Sequence, residues 1–242
     1  MAEYPKILGV FSRKKADDIG SGGTQRRHEA QTYWYVRRLS EEQFEVQPLN
    51  AHHVPSGVKS TVPRLEFIYQ YTPEPDYYRL HTVPALETLA RKIKLGERYF
   101  NLGMLDDSEL EFIKALMIDD LNVDANYGLG KVYSEQKEYE KLKKVVNTLM
   151  GLDGAFSFEH RQKLNEFGIS LRKNGHFDES IRYYNKAIEY NKKDEHLLFN
   201  LARVHFDKGD RAEAAKTLEN ALKINPEFDQ AQKFLRYCRK NS

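Results

Sequence analysis

From about residue 89 onward, the apolar positions of this 242-residue chain follow a helical rhythm that restarts at a near-fixed stride. Leu95-Gly96, Leu129-Gly130, Phe167-Gly168 and Leu201-Ala202 each set a small residue after a large one, with strides of 34, 38 and 34 residues. Around each pair the same content recurs. Three residues past the small one stand Tyr99, Tyr133, Leu171 and His205; seven past it, Gly103, Lys137, Gly175 and Gly209; nineteen past it, Ala115, Leu149, Ala187 and Ala221. Such a period predicts a pair of antiparallel helices per copy. No single copy can bury its own apolar stripe, so neighbouring copies must stack.

The preceding residues follow a different pattern. Lys6–Ser12 is an apolar run of strand length, Thr32–Val36 is rich in β-formers, and Phe44–Leu49 alternates after the polar loop Ser40–Gln43. The last two predict a hairpin, with the first run as a third strand, because a lone hairpin is marginal in water. Asp17–Gly23 reads as a loop. Residues 1–60 thus form a small β-containing module, and 61–88 a helical connector with short helical stretches at 64–71 and 76–80. Pro84 suits the first helical position of the repeats. Tyr69, Tyr71, Tyr77 and Tyr78 are expected to pack this connector against the first repeat, and Trp34 to sit either in a core or against the solenoid.

Residues 89–241 resemble tetratricopeptide repeats. The last two copies carry the resemblance most fully. One opens with Leu164-Asn165-Glu166-Phe167-Gly168-Ile169-Ser170-Leu171, turns at Asn174-Gly175-His176-Phe177 and continues with Ser180, Tyr184, Ala187 and Ile188. The next has Leu198, Leu201, Ala202, His205, the turn Lys208-Gly209-Asp210, then Ala214, Leu218, Ala221, Leu222 and Pro226. The resemblance implies a mainly α fold: a right-handed α-solenoid of four helix pairs plus a capping helix over Asp229–Lys240, preceded by the β-containing module. The first two copies depart from the pattern. The second lacks a turn glycine at Gln136-Lys137-Glu138, carries Leu149 where alanine is usual, and is followed by four extra residues within Gly151–Phe156.

Composition narrows the function. A formal net charge of +2 leaves no polyanion-binding signature in the bulk, and no continuous basic stripe with stacking aromatics points to nucleic acid. The single cysteine, Cys238, excludes an internal disulfide framework, suits a reducing compartment and is expected to be an apolar residue of the capping helix. No run reaches membrane-span length, and the short apolar stretch Ile7–Phe11 does not make a secretory leader, so a soluble cytoplasmic protein is expected.

Candidate chemistry is sparse. Gly20-Ser21-Gly22-Gly23-Thr24 lacks the lysine, hydroxyl residue and following helix of a phosphate loop. Arg26-Arg27 and Arg37-Arg38 invite comparison with cyclic-dinucleotide receptors, whose second motif Asn50–Gly57 does not supply. His52-His53 are adjacent, so their side chains diverge instead of sharing a metal. No catalytic constellation, cofactor fingerprint or metal spacing is visible, and the expectation is a protein that is not an enzyme and uses no cofactor.

The resemblance places function on the concave face lined by the first helix of each repeat. Its exposed positions are expected to be Asn165, Ile169, Arg172 and Lys173 in the third repeat, Phe199, Asn200, Arg203 and Phe206 in the fourth, then Lys233, Tyr237 and Lys240 on the capping helix. Cations mixed with aromatics suit an acidic peptide with an apolar anchor. Glu97, Asp124, Lys131 and Glu135 give the first half no obvious sign. Some relatives clamp a chaperone carboxyl terminus; Asn200 and Lys233 fit part of that scheme, but Asn165 and Ile169 stand where lysine and asparagine belong, so chaperone binding is not expected. The reading is a non-catalytic adaptor or scaffold that binds a protein or peptide partner, with self-association into a homo-oligomer left open. The alternative is a ligand-sensing regulator whose amino-terminal module binds a small anionic molecule or nucleotide.

Overall fold

The computed structural model describes residues 4–19 and 26–240, with backbone alone over 15–19 and 26–29. It divides into two compact units, Met1–Lys94 with Lys114–Asn122, and Leu95–Ile113 with Val123–Ser242.

The first unit is built on an antiparallel sheet. Strands β1 (Lys6–Ile19), β2 (Arg26–Arg38), β3 (Gln43–Pro48) and β4 (Ser60–Pro63) lead to helix α1 (Arg64–Gln70), and a two-residue strand β5 (Thr72–Pro73) then closes the order β4-β3-β2-β1-β5. The expected hairpin is present, with Trp34 opposite Pro48 and Val36 opposite Val46. The first run supplies the third strand and pairs Phe11 with Trp34. That strand is longer than the sequence suggests: Asp17, Asp18 and Ile19, read as loop, pair with His28, Arg27 and Arg26. The remainder of that loop, residues 20–23, lies outside the described residues.

A sheet this small cannot bury its own faces, so the following segment covers them. Phe67 of α1 stacks on Phe44 at 4.2 Å and meets Phe11 at 5.0 Å, enclosing Val36, Val46 and Val62. Helix α2 (Pro75–Tyr77) and the π-turn Tyr78–Thr82 follow. This corrects the expected role of the connector tyrosines, three of which meet the sheet while the fourth faces solvent. Tyr71 meets Trp34 edge-on at 6.1 Å, Tyr77 stacks on Tyr33 at 4.0 Å, Tyr78 lies 6.3 Å from Tyr35, and Tyr69 is 86% exposed. Helical geometry then continues from the π-turn into α3 (Val83–Asn101), which starts one residue before Pro84.

Helices α3 and α4 (Leu105–Ile118), α5 (Val123–Gln136) and α6 (Tyr139–Gly151), α7 (Arg161–Lys173) and α8 (Phe177–Tyr190), and α9 (Glu195–Lys208) and α10 (Arg211–Ile224) form the four expected pairs, followed by α11 (Asp229–Lys240). The small residues stand where helices come closest. A methyl added at Gly96 would lie 2.8 Å from the Phe112 ring, at Gly130 2.6 Å from Phe167, and at Gly168 2.4 Å from Tyr184. Gly209, at φ 98, closes α9 in the left-handed region, and Asp194 and Asp210 cap the starts of α9 and α10 through their carboxylates. Where the second copy lacks its turn glycine, Lys137 adopts φ 60.

The extra residues between α6 and α7 form a 3-10 turn, Asp153–Phe156, that plugs into the interior. Ala155 and Phe156 are buried, and Phe156 packs on Tyr183 and Tyr190. The Tyr183 hydroxyl donates to Tyr127 Oη, and Tyr127 in turn donates to the Ala155 carbonyl, each at 2.6 Å. At the far end Cys238 is fully buried with Leu218, Phe228 and Leu235, so it fills the apolar contact of α11.

Candidate functional site: the helix faces of the repeats

The first helices of successive repeats, α3, α5, α7 and α9, set their matching positions side by side, and contacts between repeats run across this face. In repeats 3 and 4, Asn200 Nδ2 donates to Asn165 Oδ1 at 3.3 Å, and the Arg172 guanidinium pairs with Asp207. Arg203, one turn along α9 from Asn200, is half-buried and has no hydrogen bond or ion pair among the described residues. Burial, and then the neighbouring charge of Arg172, lower its pKa, with Asp207 and Tyr184 acting in the opposite direction.

The aromatic residues of this region serve two purposes. Phe199 and Phe206 are partly buried in a ladder of rings, Phe199 against Phe228 at 5.2 Å and Phe234 at 6.0 Å, Phe206 against Phe234 at 5.2 Å and Tyr237 at 5.6 Å. They anchor α11 to α9 and offer only their remaining edges to solvent. Tyr237 is 54% exposed, Lys173 is exposed, and Lys233 forms an exposed pair with Asp229 one turn away. The structure therefore brings Asn165, Asn200, Arg172 and Arg203 together as a polar group and Phe199, Phe206 and Tyr237 as an aromatic one.

A second group lies over repeats 1 to 3 and includes residues whose role the sequence pattern left unassigned. A cavity of about 260 Å³ is lined by Glu97, Phe100 and Asn101 of α3, Phe112 of α4, Asp124, Tyr127, Gly128 and Lys131 of α5, and Lys163 and Glu166 of α7. Lys163 bridges Glu97 at 3.1 Å and Asp124 at 3.0 Å. Lys131 pairs with Glu166 at 3.3 Å and lies 5.0 Å from the centre of the Phe100 ring. Burial lowers the Lys163 pKa, but hydrogen bonds and charge from Asp124 and Glu97 outweigh it and the net shift is upward. Burial would raise Glu166, yet Gln162 and Lys131 hold it below its ordinary value. Lys163 and Glu166 are signalled in the sequence only by their offsets from Gly168, five and two residues before it.

In the amino-terminal unit two of the arginines considered for anion binding are committed. Arg37 pairs with Glu45 and Arg38 with Glu41. Side chains of Arg26 and Arg27, and residues 20–25, lie outside the described residues. Among the described residues no group of three His, Cys, Asp or Glu side chains is arranged to hold a metal ion, and no helix is long and apolar enough to cross a membrane.

Residues 171–236, which include Arg172, Phe199, Asn200, Arg203, Phe206 and Lys233, match the sequence model of the tetratricopeptide repeat family. That segment carries the tetratricopeptide repeat. A 91-residue stretch is 32% identical to the Hsp70-Hsp90 organizing protein of Triticum aestivum, covering 38% of this chain and 15% of that protein, so the shared segment is a small part of that relative. Among solved structures, pilF of Pseudomonas aeruginosa is similar over 64% of this chain and 69% of its own, at 20% identity and a TM-score of 0.48. MamA from Desulfovibrio magneticus RS-1 is similar over 64% and 86%, at 12% identity and a TM-score of 0.46. The four helix pairs of the chain carry both polar groups described above.

Proposed function

We propose that this chain is a non-catalytic adaptor whose third and fourth tetratricopeptide repeats hold a short acidic peptide segment. The observation that carries the reading is Arg203: a half-buried guanidinium with no hydrogen bond or ion pair among the described residues, beside an Arg172 already committed to Asp207. A carboxylate placed there gains a partially desolvated, charge-assisted hydrogen bond, the kind that contributes more than an exposed pair. The Asn165–Asn200 amides offer donors and acceptors to a peptide backbone, and the edges of Phe199, Phe206 and Tyr237 take an apolar anchor. Lys173 and Lys233 set approach rate and salt dependence.

Tetratricopeptide repeats are protein-interaction modules, and the wheat relative's name describes an organiser of other proteins; both support the adaptor class. The identity of the partner does not follow from that name, because Asn165 and Ile169 stand where a chaperone clamp places lysine and asparagine. A soluble, cytoplasmic setting goes with this reading.

Fluorescence anisotropy with a labelled octapeptide, Glu-Glu-Glu-Leu-Glu-Glu-Glu-Leu, tests it at low and moderate salt. Arg203→Glu is expected to weaken binding at least about tenfold, ~1.4 kcal/mol, and to flatten the salt dependence while the melting curve stays in place. Equal affinity of wild type and variant at both salt concentrations removes the site from repeats 3 and 4.

A further inference from the structure

The cavity over repeats 1 to 3 differs from the Arg203 region in sign. Its walls carry three carboxylates, Glu97, Asp124 and Glu166, against two lysines, Lys131 and Lys163, with His160 lying 3.6 Å from Asp124. Both lysines are held by carboxylates, and one of them lies over an aromatic ring. The carboxylates therefore outnumber the cations inside a partly enclosed space, where charge is screened less than at an open surface. The cavity also has an apolar floor: the Phe112 ring lies against Gly128 so closely that a methyl there would fall 2.1 Å from Cζ.

We propose that this cavity is a subsite for a basic side chain, lysine or arginine, of a bound peptide. The inference rests on the reading of the repeat face as a peptide-binding surface. At about 260 Å³ the space falls below the roughly 300–1,000 Å³ of small-molecule and cofactor sites, which favours a single long side chain. Its methylene stem lies along Phe112 and Gly128. Its charged head reaches Glu97, Asp124 and the Phe100 ring, the same groups that hold Lys163 and Lys131. The Lys131–Phe100 contact is an internal example of the arrangement, because a cation over a ring face is attracted by the ring quadrupole. With Arg203 suited to an anion and this cavity to a cation, the repeat face is electrically polar along its length. A peptide with a basic residue at one end and acidic residues at the other matches it in only one direction.

Two labelled octapeptides separate this inference from the reading on which it rests: the acidic one above, and the same sequence with arginine in place of every glutamate. Each is titrated against wild type, Glu97→Gln/Asp124→Asn, Phe100→Ala, Arg203→Glu and the control Glu140→Gln/Glu227→Gln. Circular dichroism melting verifies that each variant is folded, and Phe100→Ala keeps the test open should Asp124→Asn disturb the start of α5. The basic peptide is expected to bind wild type and the control alike, and to lose at least tenfold in affinity with Glu97→Gln/Asp124→Asn and with Phe100→Ala. Arg203→Glu should not weaken it. If the basic peptide does not bind wild type, or binds the cavity variants as well as the control, the subsite is refuted. In that case, continued dependence of the acidic peptide on Arg203 shows that the reading of repeats 3 and 4 still stands. Loss of the acidic peptide's dependence with the basic peptide intact refutes that reading alone.

Discussion

Gly168 offers a test of the helix packing in which the sign of the effect decides. It lies inside α7, where replacing glycine by alanine in an open helix stabilises by about 1 kcal/mol, through lower backbone entropy in the unfolded chain. The new methyl would be 2.4 Å from Tyr184 Cζ and 2.5 Å from its hydroxyl oxygen, well inside van der Waals contact. Tyr184 is fully buried, and its hydroxyl contacts the Asn165 carbonyl, so the ring cannot retreat without disturbing the α7–α8 contact. Overpacking of this kind costs about 1–3 kcal/mol, and the closeness of the contact places it at the upper end. Gly168→Ala is therefore expected to destabilise by about 1–2 kcal/mol after the helix-propensity gain is subtracted, and Gly168→Leu by about 3 kcal/mol or more. Gly151 is the internal control: it is also helical, and a methyl there meets nothing within 4 Å, so Gly151→Ala should stabilise. Urea and thermal unfolding, both followed by far-ultraviolet circular dichroism, read all three. At roughly 2–4 °C per kcal/mol for a chain of this length, the melting temperatures should separate with opposite signs. If Gly168→Ala raises the midpoint as Gly151→Ala does, the close approach of α7 and α8 described here is wrong.

Other consequences can be checked in the same way. Lys137 holds φ 60 where the other repeats have glycine, so Lys137→Gly should raise the urea midpoint, worth about 1 kcal/mol of relieved left-handed strain. Tyr127→Phe removes the hydroxyl that joins Tyr183 to the Ala155 carbonyl and should cost about 1–3 kcal/mol, because two buried partners lose their bond; denaturant titration measures it. Burial raises the pKa of Tyr127, Tyr183 and Tyr184 well above the ordinary value, and that of Tyr35 to about 12, through burial and then Tyr78. A folded pKa above the unfolded value of about 10 means the contribution is complete below that pH and is lost as pH rises through it. Melting temperature should therefore fall from about pH 10 upward, and the fall should be shallower in Tyr127→Phe.

The repeats were legible because their glycines mark physical close approaches. Gly96, Gly130 and Gly168 each face an aromatic ring, and that requirement recurs at the stride of the repeat. The hairpin was legible for a similar reason, since alternation at Phe44–Leu49 follows from one covered face. Tyr71, Tyr77 and Tyr78 were not, because periodicity gives the spacing of apolar residues but not which surface they meet. The end of β1 was missed because Asp17 and Asp18 lower strand propensity, while the pairing with β2 overrides it. At the site, Arg172, Arg203, Asn165 and Asn200 could be placed on one face from helical offsets alone. The division of the aromatics could not, because Phe199 and Phe206 meet α11 through a connection whose angle no local pattern encodes. The cavity residues Lys163 and Glu166 come together with Glu97 and Lys131 only once three helices are laid side by side.

The plug at Asp153–Phe156 bears on how the array comes apart. In a chain of stacked repeats, each copy feels only its neighbours, and opening can stop at any weak junction. Here an inserted turn is fastened to Tyr127 of the second repeat and to Tyr183 and Tyr190 of the third, so the longest linker has become a rivet between them. Amide protons of α5 and α8 should exchange with solvent at nearly one common rate, as a single cooperative block, while α11 frays ahead of them. Loosening that rivet would turn one melting event into two.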